Sequence, residues 1–182
     1  MAVITVLGYA LLGLIRDDPR SGYGLRRVFE TTPLGNYSSS PGSIYPALKN
    51  LQKAGLIEAR AAGKGNVFHL TEAGRAALDA WLRQSVTVDE VARQMSAIML
   101  RFAFLHGHPD RNLTLDLLMS LETAARAQAD GLAAWLAGEA ALAMPLQARL
   151  AVQQGVMSVQ TIAAWAADAY RQLKADIEGS ES

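Results

Sequence analysis

The tightest constraint on this chain is the order of elements read between residues 5 and 83. Three short helical runs come first, then two extended runs joined through glycines, then a fourth helical run. Thr5 to Arg16 carries Val6, Leu7, Ala10, Leu11, Leu14 and Ile15 at helical spacing, and Asp17-Asp18-Pro19 breaks it. Ser21 is placed to cap a second helix reaching about Glu30, because its hydroxyl can accept an N–H that has no partner inside the helix. Thr31 to Ser39 is polar, contains Pro33 and Gly35, and reads as a turn. Ser40-Pro41 marks a third start, with serine as cap and proline at the first helical position, where no N–H is needed. The spacing predicts a helix over Pro41–Ala54 with Ile44, Leu48 and Leu51 inward, Pro46 close to its start and Gly55 as its stop. Leu56 to Arg60 and Asn66 to Leu70 flank a glycine-containing connection, Ala61 to Gly65, and predict a hairpin; Thr71 then caps the next helix.

Helix, helix, helix, hairpin is the order of a winged helix-turn-helix, with the hairpin as wing. The expected architecture is therefore mainly α with a small β-hairpin, the winged helix occupying residues 1–83. Beyond Gln84 the sequence reads as helices over Asp89 to Leu105, Leu113 to about Ala143 and Leu146 to about Ile177, separated by Gly107-His108-Pro109 and Met144-Pro145. The last two, each roughly 30 residues and so about 45 Å long, are rich in Ala, Leu and Met. Amphipathic helices of that length rarely stand alone in water, so residues 84–182 are expected to form an antiparallel pair that packs against a second subunit as a helical dimerisation domain.

The 182 residues carry no net charge, but the average hides an asymmetry. Residues 1–83 hold ten Lys or Arg against six Asp or Glu, and residues 84–182 hold seven against eleven, giving balances of +4 and −4. A basic half joined to an acidic half suits a DNA-binding module fused to a partner-binding one. Cysteine is absent, which excludes disulfides, thiolate zinc sites and cysteine nucleophiles and suits a cytoplasmic protein. The first residues lack the features of a secretory signal, and the longest apolar stretch, Leu7 to Ile15, is far short of the ~20 residues that span a bilayer, so no membrane partner is expected.

A recognition helix puts its N-terminal side chains into the major groove. Ser43, Tyr45, Pro46 and Lys49 stand on the first turns of the third helix, with Ser39 and Ser40 just ahead. Serine hydroxyls can reach phosphates or base edges, Lys49 supplies charge, and Tyr45 and Pro46 offer apolar surface to a thymine methyl. Ser40 reads equally as a plain cap, and Tyr45 as a packing residue. Tyr23, after the second cap, is placed to donate to a phosphate or to pack between helices. Lys64 at the wing tip reads as a backbone contact or as a solvated loop lysine, whereas Arg26, Arg27 and Arg75 read as a solvated basic face.

The blocks Ser21-Gly22-Tyr23-Gly24-Leu25, Gly42-Ser43-Ile44-Tyr45-Pro46-Ala47-Leu48, Gly55-Leu56-Ile57 and Leu70-Thr71 with Gly74-Arg75 closely resemble the PadR family of transcriptional regulators. The match covers residues 7–83; the helical remainder resembles the larger subfamily by length and character. The resemblance implies a homodimer on double-stranded DNA at a palindromic promoter site, usually as a repressor, released by a small molecule that in some relatives is a phenolic acid or a flat aromatic compound. It departs in the wing, where relatives often carry several bases and Gly63-Lys64-Gly65-Asn66-Val67 carries one.

No nucleophile elbow, P-loop or His-Glu-x-x-His occurs, so neither an enzyme nor a cofactor is expected. His106, His108 and Asp110 form the only metal-like cluster and read more simply as a polar interhelical loop. Trp81, Met95, Met99, Trp135 and Trp165 are candidates to line an aromatic effector's pocket, or to form dimer core. The rival function is a protein–protein adaptor that uses the helical half and has lost DNA binding.

Overall fold

The computed structural model describes residues 4–34, 41–63 and 65–180. The chain divides into two compact units, residues 1–82 and 83–182.

In the first unit, α1 (Val6–Asp17) is capped by Thr5, whose Oγ1 accepts from Gly8 N at 3.1 Å, and it buries Ala10, Leu11, Leu12 and Ile15. Asp18 is extended ahead of Pro19, as the proline ring demands of its predecessor. Ser21 caps α2 (Gly22–Thr31) through Gly24 N at 3.1 Å, and Leu25 and Phe29 form that helix's buried face.

The third helix begins later than the sequence suggests. Pro41–Ser43 form one turn of 3-10 helix, and α3 runs Ile44–Lys53. Pro46 supplies the reason: it has no N–H to bond the carbonyl four residues back. A helix starting at Ile44 puts Pro46 in its first turn, where donors are unpartnered anyway. Ile44, Leu48 and Leu51 face the core as their spacing requires. The far end is a Schellman closure, with Gly55 at φ +70°, Gly55 N bonded to Gln52 O and Leu56 N to Leu51 O, each at 3.0 Å.

The wing is longer and tighter than expected. β1 (Ile57–Ala62) and β2 (Gly65–Leu70) pair antiparallel from Ile57↔Leu70 to Ala62↔Gly65, so only residues 63 and 64 connect them. Gly63 has φ +58°, the sign a two-residue hairpin turn needs, and Ala61 and Ala62 therefore stay in the ladder. Arg20 adds a backbone rung, its carbonyl accepting from Phe68 N at 2.9 Å. Thr71 closes the hairpin onto α4 (Glu72–Leu82): its Oγ1 donates to Gly55 O at 2.6 Å and accepts from Gly74 N at 3.0 Å.

In the second unit, the run read as one helix from Asp89 to Leu105 is two, α5 (Val88–Arg93) and α6 (Met95–Phe104), with Gln94 non-helical between them. The break lets Arg101 fold back. Glu90 and Arg101 lie eleven positions apart, about 16 Å along a continuous helix, yet their side chains bond at 2.9 Å. Arg101 also donates to Gln84 O at 2.9 Å, and the other oxygen of Glu90 accepts from Thr87 N in a capping box.

The two long helices also differ from expectation. α7 (Asn112–Leu136) has 25 residues and ends where Gly138 turns extended, leaving α8 (Glu139–Leu142) as a short separate piece. After Met144-Pro145, α9 (Leu146–Ser180) runs for 35 residues. α7 and α9 lie antiparallel: a Cβ on Gly155 would stand 3.9 Å from Leu132, while Thr114 and Leu173 share a cavity wall at the other end. Leu117, Leu118, Leu121 and Ala125 of α7 and Val156, Ala163 and Ala166 of α9 are buried. No described helix is long and apolar enough to cross a membrane.

Candidate nucleic-acid interface

Capping and packing together decide which side chains of α2 and α3 reach outward. Leu25 and Phe29 point inward from α2, which leaves Tyr23 on its outer face at 62% exposure. Ile44, Leu48 and Leu51 do the same on α3, leaving Tyr45 48% exposed with Lys49 one turn further on, also exposed. The two helices meet at Gly22, where an added Cβ would come within 3.0 Å of Tyr45 Cε1. Tyr45 thus packs along one ring edge against α2 while much of the residue stays open to solvent.

Ser43 is half-buried and Pro46 exposed, and both help to line a cavity of about 390 Å³ between α3 and the Thr5–Gly8 turn of α1. They occupy the flank of α3 rather than the Tyr45–Lys49 stripe. Ser39, Ser40 and Lys64 lie outside the described residues. Arg26 and Arg75, expected on a solvated basic face, are solvent-accessible and ion-paired: Arg26 with Glu30 at 2.8 Å, and Arg75 with Glu72 at 3.3 Å, Arg75 also donating to Leu70 O at 3.1 Å.

The candidate effector residues are divided between the two units. Trp81 is 7% exposed and stacked on Tyr9 in the first unit, with centroids 4.4 Å apart and planes 4° apart. Burial raises the Tyr9 phenol above its usual pKa. Met95 and Met99 are half-buried on α6. Trp165 meets Phe102 edge-on at 5.5 Å, and Trp135 is 44% exposed near the end of α7. Leu132 sits beside Gly155, so Trp165 lies ten residues, about 15 Å, further along α9 than that level. The His106–Asp110 loop is organised by its own backbone. His106 Nδ1 lies 2.7 Å from Ala103 O, His108 Nδ1 accepts from Asp110 N at 3.1 Å, and no group of three potential metal ligands occurs among the described residues.

Residues 11–80 match the family described as "Transcriptional regulator PadR-like family". The match covers 70 of the 182 residues, and over them this chain is similar to a PadR-like module. Among curated proteins, the negative transcriptional regulator PadR of Bacillus subtilis (strain 168) is 31% identical over 105 residues, covering 55% of this chain and 57% of that protein. The transcriptional regulator YqjI of Escherichia coli (strain K12) is 32% identical over 112 residues, 60% of this chain and 52% of that one. The chain thus spans a little over half the length of the curated relatives it matches. Among solved structures, Bacillus subtilis PadR in complex with operator DNA aligns over 93% of this chain and 99% of that one, at 24% identity and a TM-score of 0.43. The PadR-like match takes in the exposed faces of α2 and α3 and the hairpin, and it ends two residues short of the end of α4.

Proposed function

We propose that this chain is a DNA-binding transcriptional regulator, a repressor that holds a palindromic operator as a homodimer and releases it on a small-molecule signal. The observation that carries the reading is the joint outer surface of α2 and α3. There Tyr23, Tyr45 and Lys49 stand exposed, in a module matched by a family of transcriptional regulators. A helix of this kind fits the major groove, with the preceding helix lying across the backbone. The name of the Bacillus subtilis relative, a negative regulator, supports repression over activation.

Support for the homodimer comes from α9. Leu146, Leu150, Met157 and Trp165 are 57, 51, 61 and 39% exposed, and Arg149 is the only charged residue between Leu146 and Ala167. An apolar face of this extent on a water-exposed helix calls for a partner, and a second copy presents the same face. Phe102 and Trp165, in edge-on contact, are the aromatic pair of this unit suited to a planar effector.

Mobility shift on promoter fragments of the chain's own gene and its neighbours tests the reading. A salt-sensitive complex is expected, weakened by about 1–3 kcal/mol in Tyr45→Ala and in Lys49→Ala. No such complex on any of these fragments sinks it.

A further inference from the structure

The bases of the first unit are not equivalent. Residues 1–82 contain nine Lys and Arg, of which Lys64 lies outside the described residues. Five of the other eight hold a carboxylate: Arg16 with Asp17, Arg20 with Asp18, Arg26 with Glu30, Arg60 with Glu58 and Arg75 with Glu72. Arg27, Lys49 and Lys53 hold none among the described residues. All three are exposed, and all three lie on α2 or α3.

Their spacing places each on the outer side of its helix. Arg27 follows Tyr23 by four residues, one turn along the same face of α2. Tyr45, Lys49 and Lys53 succeed one another at intervals of four along α3. The contact of Gly22 with Tyr45 joins the two stripes at their N-terminal ends. The hairpin contributes no comparable charge from its described residues, because Glu58 neutralises Arg60 on the same strand.

From this we infer that Arg27 and Lys53 are phosphate-contacting residues, acting with Lys49. Together the three form a patch of uncompensated charge on α2 and α3 that grips the DNA backbone independently of sequence. The inference rests on the DNA-binding reading above and assigns its electrostatic part to named residues. A cation that carries its own carboxylate adds little to the local field. A cation without one displaces a condensed counterion when it meets a phosphate, and that release is read as salt dependence.

The test is the slope of log K against log salt concentration for the full chain on a mixed-sequence duplex, where only backbone contacts count. The slope does not depend on the fraction of active protein, so a variant that folds less well still reports. Each phosphate contact contributes about 0.9 to the slope. Arg27→Ala and Lys53→Ala are each expected to lower it by about 0.9 per protomer on the duplex, and the double variant by about twice that. Arg26→Ala and Arg60→Ala are expected to leave it nearly unchanged. If the parent binds and Arg27→Ala and Lys53→Ala keep its slope, or if the paired arginines lower it equally, this assignment is overturned while the DNA-binding reading survives. A parent with no salt-sensitive binding to any duplex overturns both.

Discussion

A methyl group on Gly74 would stand 1.9 Å from the carbonyl oxygen of Leu56, a backbone atom that cannot rotate away. That carbonyl already accepts from Thr71 N at 3.1 Å, so the chain crosses itself here between the end of α3 and the start of α4. Gly74→Ala must push α4 off the hairpin base, and a loss on the order of 3 kcal/mol in urea unfolding is expected from overpacking at a rigid contact; a neutral result would mean the crossing is slack. Tyr9 offers a second residue-scale test. Its phenol, stacked on Trp81, has a pKa raised above 10.0 by burial. The unfolded chain then ionises first, so the stabilisation tied to the neutral ring is complete below about pH 10 and is lost as pH rises through the raised folded value. Between about pH 9 and pH 11 the stability of the parent is expected to fall more steeply than that of Tyr9→Phe; parallel profiles would remove Tyr9 as the cause. Gly74 was visible in the sequence as part of a family-like block. The clash that requires it was not, because it involves the carbonyl of a residue eighteen positions away.

The elements read best from sequence were those whose ends carry their own chemistry. Thr5, Ser21 and Thr71 each accept the N–H three residues on, and Gly55 takes the left-handed closing position. The misread boundaries lie where no such signal exists or where one was passed over. Gly138 could have marked the end of α7, since glycine is a poor helix former. Nothing local marks Gln94. There the break is coupled to the pairing of Arg101, 0% exposed, with Glu90 and the Gln84 carbonyl. Arg101→Ala would leave that carboxylate and carbonyl without their buried donor, and a loss of about 3–5 kcal/mol is expected. Arg101→Met, which fills the space with apolar surface, should cost clearly less. Equal losses in denaturant unfolding would show that the lost charge sets the cost and the filled space does not.

On the scale of the whole molecule, the exposed apolar face of α9 is where the proposed dimer is tested. Met157→Glu and Leu150→Glu put charge onto exposed apolar positions, which leaves the packing of α7 on α9 untouched. Sedimentation is expected to show a dimer for the parent and a shift to monomer for each variant, with binding to a two-fold operator weakened in step. A monomeric parent would refute the dimer. The caps at Ser21 and Thr71, the inward residues of α3 and the existence of the hairpin were determined by sequence alone, because helical periodicity, capping hydroxyls and glycine dihedrals act within a few residues. So were Tyr23, Tyr45 and Lys49 as outward candidates, since the apolar side of a short helix leaves its other side to solvent. Three features were settled only by the tertiary structure: the break at Gln94, the placing of Trp81 against Tyr9, and the division of the bases into neutralised and free. Each depends on which groups meet across space, and a carboxylate within 3 Å of one arginine but not of the next leaves no periodic mark on the chain.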